Sequence, residues 1–161
     1  MSIETPRPED APAIERLATG AGVFTPDEIR VVNEMLNGFF DPQPRDDHTF
    51  LIYRNGNPND VAGFACYGPT PLTDRVWDLY WICVDRATQR HGIGSELLKK
   101  IEQDLCVRRA RAIYLETSDS DSYAAAREFY EQHGYECVAQ IKDFYAVGDG
   151  KVLYRKILQT R

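Results

Sequence analysis

The stretch that decides the reading is Val84-Asp85-Arg86-Ala87-Thr88-Gln89-Arg90-His91-Gly92-Ile93-Gly94-Ser95. Ahead of it, Val76 to Val84 carries a single charge, Asp78, and reads as a central strand covered on both faces. Behind it, Ile93, Leu97, Leu98, Ile101 and Leu105 recur at helical spacing. A buried strand therefore ends, a short polar loop follows, and a helix opens at the glycines. The opening amides of a helix have no carbonyl one turn earlier to bond to, and they point outward with the positive end of the helix dipole. Glycines at 92 and 94 let an anion come close to those amides. The stretch predicts a phosphate or pyrophosphate cradle, with Arg90 and Ser95 as added donors. It lacks the Lys-Ser/Thr pair of a nucleotide-hydrolysing loop and the third glycine of a dinucleotide loop. Alone, a Gly-x-Gly is equally the mark of a tight strand-to-helix turn.

Upstream, Asp10 is placed to cap a helix through Ile14, Leu17 and Ala18 that Gly20 and Gly22 end. Thr25 and Pro26 open a second helix carrying Ile29, Val32, Met35, Leu36 and Phe39, closed by Pro42 and Pro44. His48–Tyr53 and Val61–Tyr67 read as strands around the turn 55–60, with a loop over 70–74. Downstream, Ala112–Thr117 is a strand and Tyr123–Gln132 a helix stopped at Gly134. Tyr135–Tyr145 and Lys151–Leu158 are strands joined at Gly148-Asp149-Gly150. This order makes an α/β (α+β) fold, a mixed sheet with helices packed against it, in one domain over residues 1–161.

Composition narrows the partners. The 161 residues carry 19 Lys and Arg against 25 Asp and Glu, a net charge of −6, the wrong sign for a protein that grips nucleic acid. No run of about 18 apolar residues offers a membrane span. Met1 to Asp10 is polar and proline-rich, without the basic-then-apolar order of a secretory leader, which points to the cytoplasm. Cys66, Cys83, Cys106 and Cys137 form no CxxC pair; lying in apolar or strand-like runs, they read as four buried free thiols. His48, His91 and His133 are scattered, so no metal site is expected. The acidic run Asp27, Glu28, Glu34, Asp41, Asp46 and Asp47 favours a cationic small partner, or is a solvated helix face.

Taken whole, the strand, Gln89-x-x-Gly92-x-Gly94 and the amphipathic helix resemble the coenzyme A loop of the GNAT superfamily of N-acetyltransferases. Tyr114-Leu115-Glu116-Thr117 is similar to that family's fifth strand. Ala126 to Tyr135, with Phe129-Tyr130 before Gly134-Tyr135, is similar to its next helix. The resemblance runs from Val76 to Leu158. One departure is Tyr123, where the family often carries a coenzyme-binding Asn.

The resemblance implies a mostly antiparallel sheet of six to seven strands, split at the fourth and fifth, flanked by about four helices. It implies acetyl transfer from acetyl-coenzyme A to an amine. The pantetheine would pair near Cys83 and Val84, and the pyrophosphate would lie on the amides of Gln89, Arg90, His91, Gly92, Ile93, Gly94 and Ser95. Tyr130 would protonate the departing thiolate, a role set against a plain core aromatic. An amine attacks only when deprotonated, so a base is required. Asp78 is the first choice, Glu116 the second, and water the remaining option. A backbone amide of the split strand would hold the oxyanion. The family often dimerises. The alternative is a non-catalytic acyl-coenzyme A-binding regulatory domain, which keeps the glycine loop and has no need of Tyr130.

Overall fold

The computed structural model describes residues 1–43, 47–57 and 59–158. Pro44, Asp46 and Pro58 lie outside the described residues. Strand β1 (Ser2–Glu4) is followed by a 3-10 turn and helices α1 (Ala11–Ala21) and α2 (Pro26–Phe40). Strands β2 (Thr49–Arg54), β3 (Val61–Pro69) and β4 (Val76–Val84) come next, then α3 (Ile93–Val107). Strand β5 (Ala112–Ser118), helix α4 (Ala124–Gln132) and strands β6 (Glu136–Ala146) and β7 (Asp149–Ile157) complete the chain. The sheet has seven strands in the order β1-β2-β3-β4-β5-β7-β6. Strands β4 and β5 pair in parallel, and the register there covers three pairs: Val76 with Ala112, Trp77 with Ile113, Asp78 with Tyr114.

The chain divides into two compact units, Met1–Gly68 with Trp81–Asp104, and Pro69–Tyr80 with Leu105–Arg161. In the first, Ile14, Leu17 and Ala18 of α1 and Val32 and Leu36 of α2 are buried in one cluster with Phe50, Ile52, Phe64 and Cys66 of the sheet. The α2 start is a reciprocal cap: Glu28 N donates to Thr25 Oγ1 at 3.2 Å, and Thr25 N donates to Glu28 Oε2 at 2.6 Å. Gly22, at φ 71°, ends α1. Arg86 donates to the Ala21 carbonyl there, at 2.8 Å from Nη2, and a Cβ on Gly22 would lie 2.3 Å from that nitrogen. Gly20 stays inside the helix.

In the second unit, Ile113, Leu115, Val152, Tyr154 and Tyr135 are buried. Arg127 of α4 donates to the carbonyls of Ser118 and Ser120 at 2.7 and 2.8 Å, tying that helix to the end of β5. Strand β6 is exposed along nearly its whole length and bulges. Ile141 pairs with Lys151 and Ala146 with Asp149, so residues 142–145 stand opposite Gly150 alone.

Four expectations need correction. Strand β4 is not covered on both faces: its residues alternate, and Tyr80 is 38% exposed. Asp10 makes no side-chain cap to α1; its Oδ2 instead accepts from Arg7 N and from Arg54 Nη2, both at 2.8 Å. Burying the Arg54 guanidinium requires such partners. Tyr123 ends a 3-10 turn ahead of α4 and is not part of the helix. All four cysteines are free, but only Cys66 and Cys83 are buried; Cys106 and Cys137 are exposed. Strand or helix membership does not decide which face a residue takes, and Cys137 sits on the exposed β6. Desolvation raises the Cys66 thiol pKa strongly and pushes that of Cys83 up to about 12. Titration of the folded chain with a disulfide reagent is therefore expected to give two fast thiols, and four after denaturation. A third fast thiol in the folded chain would contradict this packing.

Candidate functional site

The first unit holds the loop. After β4, a 3-10 turn (Arg86–Thr88) is capped by Asp85, whose Oδ1 accepts from Ala87 N at 2.9 Å. Gln89 Nε2 reaches back to the Val84 carbonyl at 3.4 Å, and His91 Nδ1 lies 3.0 Å from the Thr88 carbonyl. Arg90 and Gly92 both take left-handed backbone, at φ 68° and 82°. For Arg90 this costs roughly 1–2 kcal/mol. A run that alternates hands turns successive amides toward one concavity, the geometry that suits anions. Nothing lies within 4 Å of where a Cβ on Gly92 would stand, so its backbone is open to approach. The first helical bond of α3 runs from Glu96 N to the Gly92 carbonyl at 2.9 Å. The amides before Glu96 open the helix, where the dipole favours negative charge. Deeper in, Gly63 packs 3.0 Å from the Cys83 carbonyl, measured from its would-be Cβ, and Cys83 Sγ reaches the Leu17 carbonyl at 3.4 Å.

The second unit holds Asp78, Glu116 and Tyr130. Asp78 is half-buried at the end of the β4–β5 register. Burial raises its pKa above the ordinary carboxylate range, and the charge of Glu116 adds to the rise. The Thr70 hydroxyl and the Lys151 ammonium oppose it. Thr70 Oγ1 is itself buried and makes no hydrogen bond of full geometry. Glu116 is exposed on β5 and forms an ion pair with Lys151 of β7. Tyr130 is half-buried on α4, with ring centroids 5.4, 5.8 and 6.2 Å from Phe129, Tyr135 and Tyr154. Desolvation at its hydroxyl pushes the pKa up to about 12, so it keeps its proton at neutral pH. Tyr154 donates to Glu131 Oε1 at 2.7 Å.

Asp78 and Glu116, chosen from sequence as rival bases, thus belong to one electrostatic cluster. Lys151, Thr70 and Phe144, whose ring lies 4.5 Å from the Lys151 ammonium, went unforeseen. Their contacts join strands that are remote in sequence, and only the register reveals them. Among the described residues, no group of His, Cys, Asp and Glu is arranged to hold a metal ion, and no helix is long and apolar enough to cross a membrane.

A family model for the acetyltransferase (GNAT) domain matches residues 45–137, more than half of the chain. A protein from Desulfovibrio desulfuricans assigned to the GNAT acetyltransferases is 34% identical, covers 98% of this chain and 99% of its own, and superposes with a TM-score of 0.90. An aminoglycoside 6′-N-acetyltransferase solved with coenzyme A shares the fold at 19% identity and a TM-score of 0.76, over 100% and 99% of the two chains. The ribosomal-protein-S18-alanine N-acetyltransferase of Escherichia coli does so at 22% identity and 0.75, over 99% and 95%. No curated protein matches the chain. The chain belongs to the GNAT family of acetyltransferases.

A raised Asp78 pKa carries a stability signature. A carboxyl that holds its proton more tightly when folded contributes instability once pH passes its unfolded value, about 3.9. Asp78→Asn, which keeps the neutral shape, is therefore expected to be more stable than the native chain at pH 7. The gain should be modest, because the side chain is half-buried and solvent screens it. The gap should close below pH of about 3.9. Denaturant unfolding at the two pH values checks this, and a variant less stable at pH 7 would contradict it.

Proposed function

We propose that the chain is a single-domain N-acetyltransferase that moves an acetyl group from acetyl-coenzyme A directly to a primary amine of a small molecule or peptide. The observation that carries this reading is the loop ahead of α3, with left-handed backbone at Arg90 and Gly92 and open space over Gly92. Amides of residues 89–95 would hold the pyrophosphate, and the strand end at Cys83 and Val84 would receive the pantetheine. The bound thioester supplies an activated acetyl group and a thiol leaving group.

The chain supplies the proton transfers. Asp78 accepts the proton of the acceptor ammonium, directly or through one water. Burial raises its pKa above that of a free carboxyl, which makes the carboxylate a better proton acceptor. Tyr130 gives its hydroxyl proton to the departing sulfur; burial pushes its pKa up to about 12, which keeps it protonated while making it a weaker acid than a free phenol. Two of the three structural neighbours named above are N-acetyltransferases, which favours nitrogen as the acceptor atom. The acidic α2 region lends the acceptor less support than its composition suggests. Asp27 pairs with Arg30 at 3.1 Å, Glu28 closes the α2 cap, and Asp41 Oδ1 accepts from Gln43 N at 2.9 Å.

Thiol release from acetyl-coenzyme A across a panel of primary amines tests the reading. Gly92→Val is expected to weaken coenzyme A binding about tenfold or more by calorimetry, since it strains the backbone and fills the open approach. Unchanged affinity would remove the loop from the site. Tyr130→Phe is expected to lower kcat about a hundredfold while coenzyme A affinity stays within about twofold. Equal loss of both would make Tyr130 a packing residue, and unchanged turnover would strip it of the acid role.

A further inference from the structure

Lys151 stands on β7 opposite Ser118 of β5, and its side chain is only 17% exposed, which is uncommon for lysine. Its ammonium is held from two directions. Glu116 Oε2 of β5 pairs with it, and the ring of Phe144 on β6 presents its face at 4.5 Å. Phe144 reaches that position because residues 142–145 bulge from the β6–β7 ladder. The ring is half-exposed and meets Tyr145 edge-on at 5.1 Å.

An ion pair whose carboxylate is half-exposed adds little to stability, so this grip calls for another account. One lies across the sheet. Without Lys151, Glu116 would be a second bare anion near Asp78, and the two carboxylates would compete for one proton as a coupled pair. The other groups around Asp78 are Tyr114, its register partner on β5, and Thr70 in the preceding loop. Arg155 of β7 is spent on Glu136 of β6, at 3.0 and 2.5 Å, and on Tyr114. Lys151 is thus a cation that pairs with Glu116 and whose charge also acts on Asp78.

We propose that Lys151 is a positioning residue: clamped between Glu116 and the Phe144 ring, it neutralises Glu116 and leaves proton acceptance to Asp78. This rests on the reading of Asp78 as the base. Two measurements on the full chain separate the claims. One is the acid limb of kcat/KM against pH with acetyl-coenzyme A and a primary amine. The other is the carbon-13 titration of the Asp78 carboxyl, assigned by its loss in Asp78→Asn.

Lys151→Met is expected to move both upward by about half a pH unit or more. Glu116→Gln is expected to move both downward, and the double variant to fall between them. Lys151→Arg, which keeps the cation, should restore the native limb. Should Lys151→Met fail to fold, Phe144→Leu loosens the same clamp and is expected to give a smaller upward shift. An Asp78 titration unmoved in Lys151→Met, or moved equally in Lys151→Arg, overturns the proposal. A native chain that transfers no acetyl group to any amine overturns the functional reading instead. The carboxyl titration would then still decide what Lys151 does to Asp78.

Discussion

The chain must turn from the end of β4 into α3 within a few residues, and that passage constrains the rest of the loop. Two residues accept left-handed backbone to achieve it, and one of them, Arg90, is not glycine. The surroundings hold the strain in place. Asp85 caps the turn, Gln89 reaches back to Val84, and Ile93, Leu97 and Leu98 are buried along α3. Open space over the glycine is shared by the turn glycines Gly56 and Gly148, and at Gly92 it matters because a helix start follows. A loop receiving an anion requires it, because the donors are amides and a side chain there would shield them.

In the second unit the controlling feature is charge on the sheet. A parallel register of three pairs brings Asp78 level with Tyr114, two residues before Glu116 on the same strand face. The charge of Glu116 acts on Asp78, and a cation beside Glu116 relieves it. The fold supplies Lys151 from β7 and an aromatic ring from the β6 bulge to hold it. Tyr130 lies in a drier setting, among rings, with its proton retained. The proposed acceptor and donor of protons thus sit in different environments, the pattern expected where base and acid chemistry run together.

Local signals carried much of this to the sequence reader. The Val76–Val84 strand and the Ile93 helix start come out with the bounds read from their patterns, because apolar runs and glycine punctuation are properties of neighbours in the chain. The Thr25-Pro26 cap and Gly134, at φ 82°, follow for the same reason. What stayed hidden was set by distant contacts. Strand β1 has three residues, too few for a period. Asp10 gave up its cap for Arg54, forty-four residues away, because a buried guanidinium is costlier to leave alone than a helix end. Cys106 and Cys137 resemble core residues in composition and face outward through position alone. Among the candidate site residues, the family pattern reached Gln89, Gly92, Gly94 and Tyr130, and a lone charge in an apolar strand reached Asp78. Nothing near Lys151 in the chain marks it, because its meaning lies in β5 and β6.

Amide chemical shifts of the nitrogen-15-labelled chain, followed as coenzyme A is added, test the central claim most directly. If the amides opening α3 receive the pyrophosphate, the largest saturable shifts fall on residues 89–95, and inorganic pyrophosphate moves the same peaks more weakly. Coenzyme A that binds while leaving those amides in place would contradict the account, as would a chain that does not bind it at all.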